Sequence, residues 1–184
     1  MMHLATAARA IGAQHLGADV SLQGVSTDSR SIAAEELFVA LRGERFDGHA
    51  FVNAVQARGA AAAMVDARFS MTQTTLPLMV VTDTRVALGQ LATWWRSTLH
   101  ATVIAVAGSN GKTTTKEMLA SILRCAVGEM GMLATRGNLN NDIGVPLTVL
   151  QMRAAHQLCA IEIGMNHPGE IAWLAEIAQP TVGL

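Results

Sequence analysis

The stretch Gly108-Ser109-Asn110-Gly111-Lys112-Thr113-Thr114 is the densest chemical signal in the sequence. Holding a phosphate takes donors and positive charge packed into a small space. Glycines at 108 and 111 let backbone N–H groups turn inward with no Cβ in the way. A helix starting just after them aims its positive N-terminal end at the same spot. Lys112 adds a full charge that reaches the outer phosphates, and Thr113 offers a hydroxyl to Mg2+. The pattern is shorter than the full G-x-x-x-x-G-K-[ST] loop, because Val106 stands where its first glycine would fall. Context supports the phosphate reading: an uninterrupted apolar run, 103–107, precedes the loop, and an amphipathic segment follows it. The rival reading is a glycine turn with an exposed lysine.

A nucleotide with a divalent cation also calls for a carboxylate near the end of a neighbouring strand. Glu162 lies in 159–163, where every neighbour is apolar. An ionised Glu in a buried strand costs several kcal/mol unless it is paired or binds a metal, so a metal role accounts for it. A carboxylate on an exposed edge strand is the alternative. His167 precedes Pro168 and Gly169 at a loop entering a helix, where a solvated or capping role suits it at least as well as catalysis. The other histidines have no metal spacing. Cys125 and Cys159 sit in apolar runs without metal spacing or a close partner, and read as two reduced core thiols.

Alternating short elements must position these groups. Residues 4–16 suggest a helix, 20–25 a short strand, 37–41 a buried strand, 42–49 a loop, 51–58 a helix closed by Gly59, and 61–65 and 78–81 further strands. Asp83 or Thr84 can cap a helix with Leu88, Leu91, Trp95 and Leu99 on one face; Trp94 and Trp95 read as packing. Strand 103–107, the glycine loop and a helix with Met118, Leu119, Ile122, Leu123 and Ala126 on one side form a first unit of a parallel sheet. Strand 158–163, loop 164–168, helix 169–178 and a strand from 181 form the next. The fold class is therefore α/β: a small N-terminal α/β domain over 1–83, then part of a parallel-sheet phosphate-loop domain over 84–184.

Composition agrees. Of 184 residues, 51% are hydrophobic and 15% charged, enough for a buried core and too apolar for disorder. The net charge of -1 and the lack of a basic stripe argue against nucleic acid. No basic n-region with an unbroken apolar stretch opens the chain, and no apolar run reaches the ~18 residues of a membrane span. A cytoplasmic monomer is expected.

The loop with its following Thr115-Lys116-Glu117-Met118 resembles the ATP loop of the Mur ligases. Thr27-Asp28-Ser29-Arg30, Leu37-Phe38-Val39-Ala40-Leu41 and Arg45-Phe46-Asp47-Gly48-His49 resemble that family's nucleotide-sugar domain. Gly137-Asn138-Leu139-Asn140-Asn141-Asp142-Ile143-Gly144-Val145-Pro146 and Glu162-Ile163-Gly164-Met165-Asn166-His167-Pro168-Gly169-Glu170-Ile171 resemble its later segments. The ATP loop is common to the family and to folylpolyglutamate synthase. The last two stretches are most similar to the member that adds D-alanyl-D-alanine to UDP-N-acetylmuramoyl-tripeptide.

The resemblance implies an ATP-dependent peptide-bond-forming ligase of peptidoglycan precursor synthesis, working through an acyl phosphate, with ATP and Mg2+ as cofactors. Lys112 and Glu162 would be catalytic. Gly108, Ser109, Asn110, Gly111, Lys112, Thr113 and Thr114 would bind ATP, and Thr113 and Glu162 the metal. Ser29 and Arg30 would sit near the uridine-diphosphate end of the substrate. Asn138, Asn140 and Asn141 would contact substrate near the reacting carboxylate, or else form a turn held by side-chain hydrogen bonds. Ala34-Glu35-Glu36 departs from the family's usual Pro-Gly turn. The chain reads as the front part of such a ligase, inactive alone. The alternatives are a meso-diaminopimelate-adding Mur ligase, a nucleotide-binding module without turnover, and an unrelated phosphate-loop kinase or GTPase.

Overall fold

The computed structural model describes residues 1–44, 46–70, 72, 74–165 and 167–184. Arg45 and Asn166, which belong to the expected loops and to the motifs above, lie outside the described residues. The chain divides into two units, Met1–Leu91 and Ala92–Leu184.

The first unit contains β1 (Met2–His3), α1 (Leu4–Ala10), β2 (Gln14–Leu16), β3 (Ser21–Leu22), β4 (Gly24–Ser26), β5 (Glu36–Val39), β6 (Arg42–Gly43), β7 (Phe46–Asp47), α2 (Val52–Ala57), β8 (Ala62–Asp66) and β9 (Leu78–Val81). Helix α3 (Thr84–Ser97) begins in it, with Asp83 Oδ1 accepting the amides of Arg85 and Val86. Five strands form a sheet in the order β2-β9-β8-β5-β4. All pairs are parallel except β2 with β9. Strands β5, β8 and β9 are apolar because both faces are covered; Phe38, Ala63, Val65, Leu78 and Val80 pack with Val52 and Val55 of α2.

Three expectations change here. The strand expected over 20–25 is divided into β3, paired with β1, and β4, paired with β5 in the main sheet. The helix expected over 4–16 stops at Ala10: the Ala13 amide closes back on the Ala8 carbonyl at 2.9 Å through a left-handed Gly12, and Gln14–Leu16 then pairs with β9. The expected loop 42–49 contains the antiparallel pair β6–β7. At the turn before β5, Glu35 adopts φ +64, the left-handed region that a glycine would occupy without strain.

The second unit holds the end of α3, then β10 (Thr102–Val106), α4 (Lys112–Val127), β11 (Met132–Ala134), α5 (Gly144–Leu150), β12 (Leu158–Glu162), α6 (Glu170–Ala178) and β13 (Val182–Gly183). Its four strands are parallel, in the order β11-β12-β10-β13. The sequence reading missed β11 and α5, both shorter than the periodicity needed to reveal them. The face expected on α4 is also corrected. Met118 and Ile122 are 64% and 65% exposed, whereas Ala120 packs on Met132 and Ala160 with Leu119, Leu123 and Val127 beside them. Cys125 lies on the exposed side too, so only Cys159 is a core thiol; burial pushes that thiol up to about 11.

Packing explains the tryptophans: the two rings are tilted against each other, and Trp95 Nε1 donates to the Met152 carbonyl at 3.0 Å. The neighbouring Arg96 is buried and, among the described residues, no carboxylate is bonded to it. Its guanidinium donates to the carbonyls of Ala178, Leu99, Ala101 and Gln179, tying the ends of α3 and α6 to the start of β10.

Two stability outcomes follow from this architecture. Glu35→Gly relieves a left-handed residue that costs ~1–2 kcal/mol, less the ~0.5–1 kcal/mol of glycine's chain entropy. A small rise in the urea midpoint is expected, and a clear fall would contradict the strain. Arg96→Met keeps the stem but strips buried carbonyls of their donors, at about 2–4 kcal/mol; an unchanged unfolding midpoint would refute that role.

Candidate active site

Strand β10 ends at Val106 and the chain turns into the exposed loop 108–111. Gly108 and Gly111 take φ +138 and +75, where a side chain is strained, and Gly111 leads directly into α4. Ser109, Asn110, Thr113 and Thr114 are exposed around the helix N-terminus. Lys112 Nζ donates to the Gly108 carbonyl at 2.7 Å, so the ammonium lies over the loop. Glycine loop, helix end and cation thus lie together on an exposed surface, as an anion requires.

Glu162 ends β12, opposite Val106 in the parallel register. Strand alternation puts it on the same face as Ala160, the face covered by α4. Its side chain is 1% exposed, which excludes the edge-strand alternative. The Thr113 hydroxyl donates to Oε2 at 3.0 Å, and Asn140 Nδ2 donates to Oε1 at 2.7 Å. The Glu162 amide donates to Thr135 Oγ1 at 2.9 Å. The carboxylate is therefore buried with both oxygens engaged, at the mouth of the phosphate loop.

The asparagines divide by role. Asn140 serves Glu162, and its carbonyl accepts the Gly164 amide at 2.7 Å. Asn141 Oδ1 accepts the amides of Ile143 and Gly144 and fastens the start of α5. Asn138 is exposed, and its carbonyl accepts the Asn140 amide. The turn held by hydrogen bonds is therefore present. At His167 the backbone amide donates to Glu170 Oε2 at 3.1 Å, which ties the loop to the first residue of α6, whose N-cap is Gly169; the His167 side chain is exposed.

The arrangement fits a nucleotide phosphate with Mg2+. Thr113 Oγ1 and Glu162 Oε2 are separated by 3.0 Å, and adjacent oxygens on an octahedral ion with bonds of ~2.1 Å lie about 3.0 Å apart. Among the described residues there is no group of three or more His, Cys, Asp or Glu that could cage a metal. Such an ion would complete its shell with phosphate oxygens and water, the habit of Mg2+.

In the first unit, Arg30 is exposed and held by Asp28: Nε to Oδ1 at 2.9 Å and Nη2 to Oδ2 at 2.7 Å. The Arg30 guanidinium lowers the Asp28 carboxyl to about 2. Ser29 sits half-buried between them. The hairpin β6–β7 displays Phe46 stacked on Phe51, with ring centroids 5.8 Å apart. Its base is fixed by buried His49, which accepts the Asp66 amide at Nε2 (3.0 Å) and, with its proton on Nδ1, donates to Asp47 at 2.7 Å. Arg42 bridges Asp47 and Asp66.

Sequence reasoning missed Lys116, which is 0% exposed, and Thr135. Lys116 is charged, so nothing in the helix pattern marked it as enclosed. A single threonine after an unassigned strand gave no signal.

Known proteins match this chain closely. Residues 21–96 match the profile of the Mur ligase family catalytic domain, and residues 106–184 that of the Mur ligase middle domain. The UDP-N-acetylmuramoyl-tripeptide--D-alanyl-D-alanine ligase of Escherichia coli (strain K12) is 46% identical over 169 residues, covering 91% of this chain and 36% of that protein. A crystal structure of MurF from Acinetobacter baumannii superposes with a TM-score of 0.84 at 41% identity, covering 97% of this chain and 39% of that one. MurF ligase from Thermotoga maritima, in complex with ADP, gives 0.72 at 31% identity over 85% of this chain and 35% of that one. The chain thus spans little more than a third of the length of these relatives.

The charge cluster under the hairpin yields a pH outcome. Burial works to raise the Asp66 carboxyl, but hydrogen bonds from Arg42 and the Arg68 amide, with the charge of Arg42, lower it from 3.8 to about 2. The unfolded chain therefore binds that proton first, so the stabilisation is full above about pH 4 and is lost as pH falls towards 2. Asp66→Asn should cost roughly 2 kcal/mol near neutrality and flatten the acid limb of a urea-unfolding series. Equal slopes in both proteins would disprove the assignment.

Proposed function

This chain belongs to the Mur ligase family, and we propose that the protein carrying it is the ATP-dependent ligase that joins D-alanyl-D-alanine to UDP-N-acetylmuramoyl-tripeptide in peptidoglycan precursor synthesis. The observation that carries the reading is the meeting of the phosphate-loop hydroxyl of Thr113 with the buried carboxylate of Glu162. The 46% identity to the Escherichia coli ligase supports the choice of amine.

In the proposed reaction a carboxylate oxygen of the tripeptide attacks the γ-phosphorus of ATP, and ADP departs. The amine of D-alanyl-D-alanine then attacks the acyl carbon, inorganic phosphate leaves, and the nitrogen gives up a proton. Such chemistry needs positioning and charge neutralisation above all. The loop amides at 108–114 hold the phosphates. Lys112, swung from the Gly108 carbonyl, neutralises the oxygens of the transferred group. Thr113 and Glu162 would hold Mg2+, which when bound would supply further neutralisation of the phosphate oxygens. Asn140 keeps the Glu162 carboxylate aimed, and Asn138 and Asn141 line the turn beside it on the substrate side. Ser29 and Arg30 receive the uridine-diphosphate end of the substrate, Arg30 with its geometry already fixed by Asp28.

A cytoplasmic location and a monomeric state complete the proposal. Among the described residues no helix is long and apolar enough to cross a membrane.

The test is phosphate release by the full-length protein. Release should require ATP, UDP-N-acetylmuramoyl-tripeptide and D-alanyl-D-alanine together. Preference for GTP, or turnover with meso-diaminopimelate and the shorter UDP-dipeptide instead, would overturn the reading. Lys112→Ala should lower turnover by at least ~10^2–10^3-fold while the thermal transition stays in place. Loss of that transition would make Lys112 structural.

A further inference from the structure

The buried ammonium of Lys116 takes no part in the reaction just described, yet the fold keeps it at 0% exposure. Enclosing a charge is costly unless good partners surround it. Its partners are the Glu117 carboxylate, itself 60% exposed, and the Thr135 carbonyl at 2.8 Å. Glu117 is its neighbour in sequence and ties α4 only to itself. The Thr135 carbonyl is different, because it belongs to the segment leaving β11.

Thr135 is where two buried charges meet. Its carbonyl accepts from Lys116, and its hydroxyl accepts the amide of Glu162. Its own amide donates to the Ala160 carbonyl at 3.0 Å. On α4, Thr113 and Lys116 are three residues apart and so share a face. Thr113 reaches the Glu162 side chain, and Lys116 reaches the strand end that holds the Glu162 backbone. From Thr135 the chain runs to Asn140, which returns to Glu162 Oε1. The bonds form a closed circuit: α4, the end of β11, the asparagine turn, the end of β12, and α4 again.

We propose that Lys116 is a positioning residue for the magnesium–nucleotide site, locking α4 to the end of β11 so that Thr135 and Asn140 present the Glu162 carboxylate to Thr113. The proposal rests on the ligase reading above for its ligand. Removal of the ammonium frees the Thr135 segment, and both Glu162 oxygens then lose a fixed place.

The experiment uses the full-length protein and two readouts. The first is binding of ADP by calorimetry with and without Mg2+, which needs no turnover. Lys116→Met should leave metal-free ADP binding within about twofold and cut the gain conferred by Mg2+ by ~10–100-fold, the usual effect of losing a group that orients a metal ligand. The second is steady-state kinetics, where kcat falls and the Mg2+ needed for half-maximal rate rises, while KM for the UDP-tripeptide stays within about twofold. Lys116→Arg should recover most of both. Should Lys116→Met not fold, Lys116→Arg and Thr135→Val carry the test: the arginine should keep the Mg2+ gain and the valine should lose it. Unchanged Mg2+ dependence in a folded Lys116→Met or Thr135→Val protein, whatever its melting temperature, overturns the proposal. If the wild type binds Mg·ADP but forms no peptide bond, the ligase reading fails while the positioning role stands.

Discussion

The second unit depends on keeping an ionised carboxylate below the surface of a parallel sheet. Glu162 costs several kcal/mol to bury and is kept by three hydrogen bonds from three different elements: Thr113 on α4, Asn140 in the turn before α5, and its own amide to Thr135 after β11. Each of those groups must be delivered within about 3 Å of the strand end, so the crossovers around β12 are fixed to that tolerance. The phosphate loop can be open and exposed because this layer beneath it is closed.

Sequence patterning revealed the parts of this site unevenly. The loop 108–114 and the buried Glu162 were legible because each breaks a local rule, glycines against a strand and a charge inside an apolar run. The parallel α/β architecture followed from alternation of strand and helix patterns. The supporting groups were not legible. Thr135 looks like any threonine, Asn140 like its two neighbours, and β11 is too short to show a period. The face of α4 was misjudged because Met118 and Ile122 are apolar yet exposed, while Lys116 is charged yet enclosed. A hydrophobic count ranks those residues in the reverse order of their burial.

The first unit shows the same division of labour with different chemistry. A parallel core of Phe38, Ala63, Val65 and Val80 carries a short hairpin, and polar groups rather than apolar ones fasten that hairpin. His49 and Asp66 sit under it with matched donors and acceptors, so Phe46 and Phe51 can project outward from a fixed base. Glu35 marks a place where the backbone path is held by its neighbours against the residue's own preference: its carbonyl and amide are bonded to Gln23 and Gly59.

The pairing of Val106 with Glu162 makes the sheet a gauge for its own alignment. Side chains alternate between faces along β12, so a shift of one position would send the carboxylate to the far side and turn an isoleucine towards Thr113. An altered strand would therefore not give a weakened site; it would give none. Single-residue insertions and deletions within Leu158–Glu162 should be far scarcer among homologous sequences than in the loops on either side.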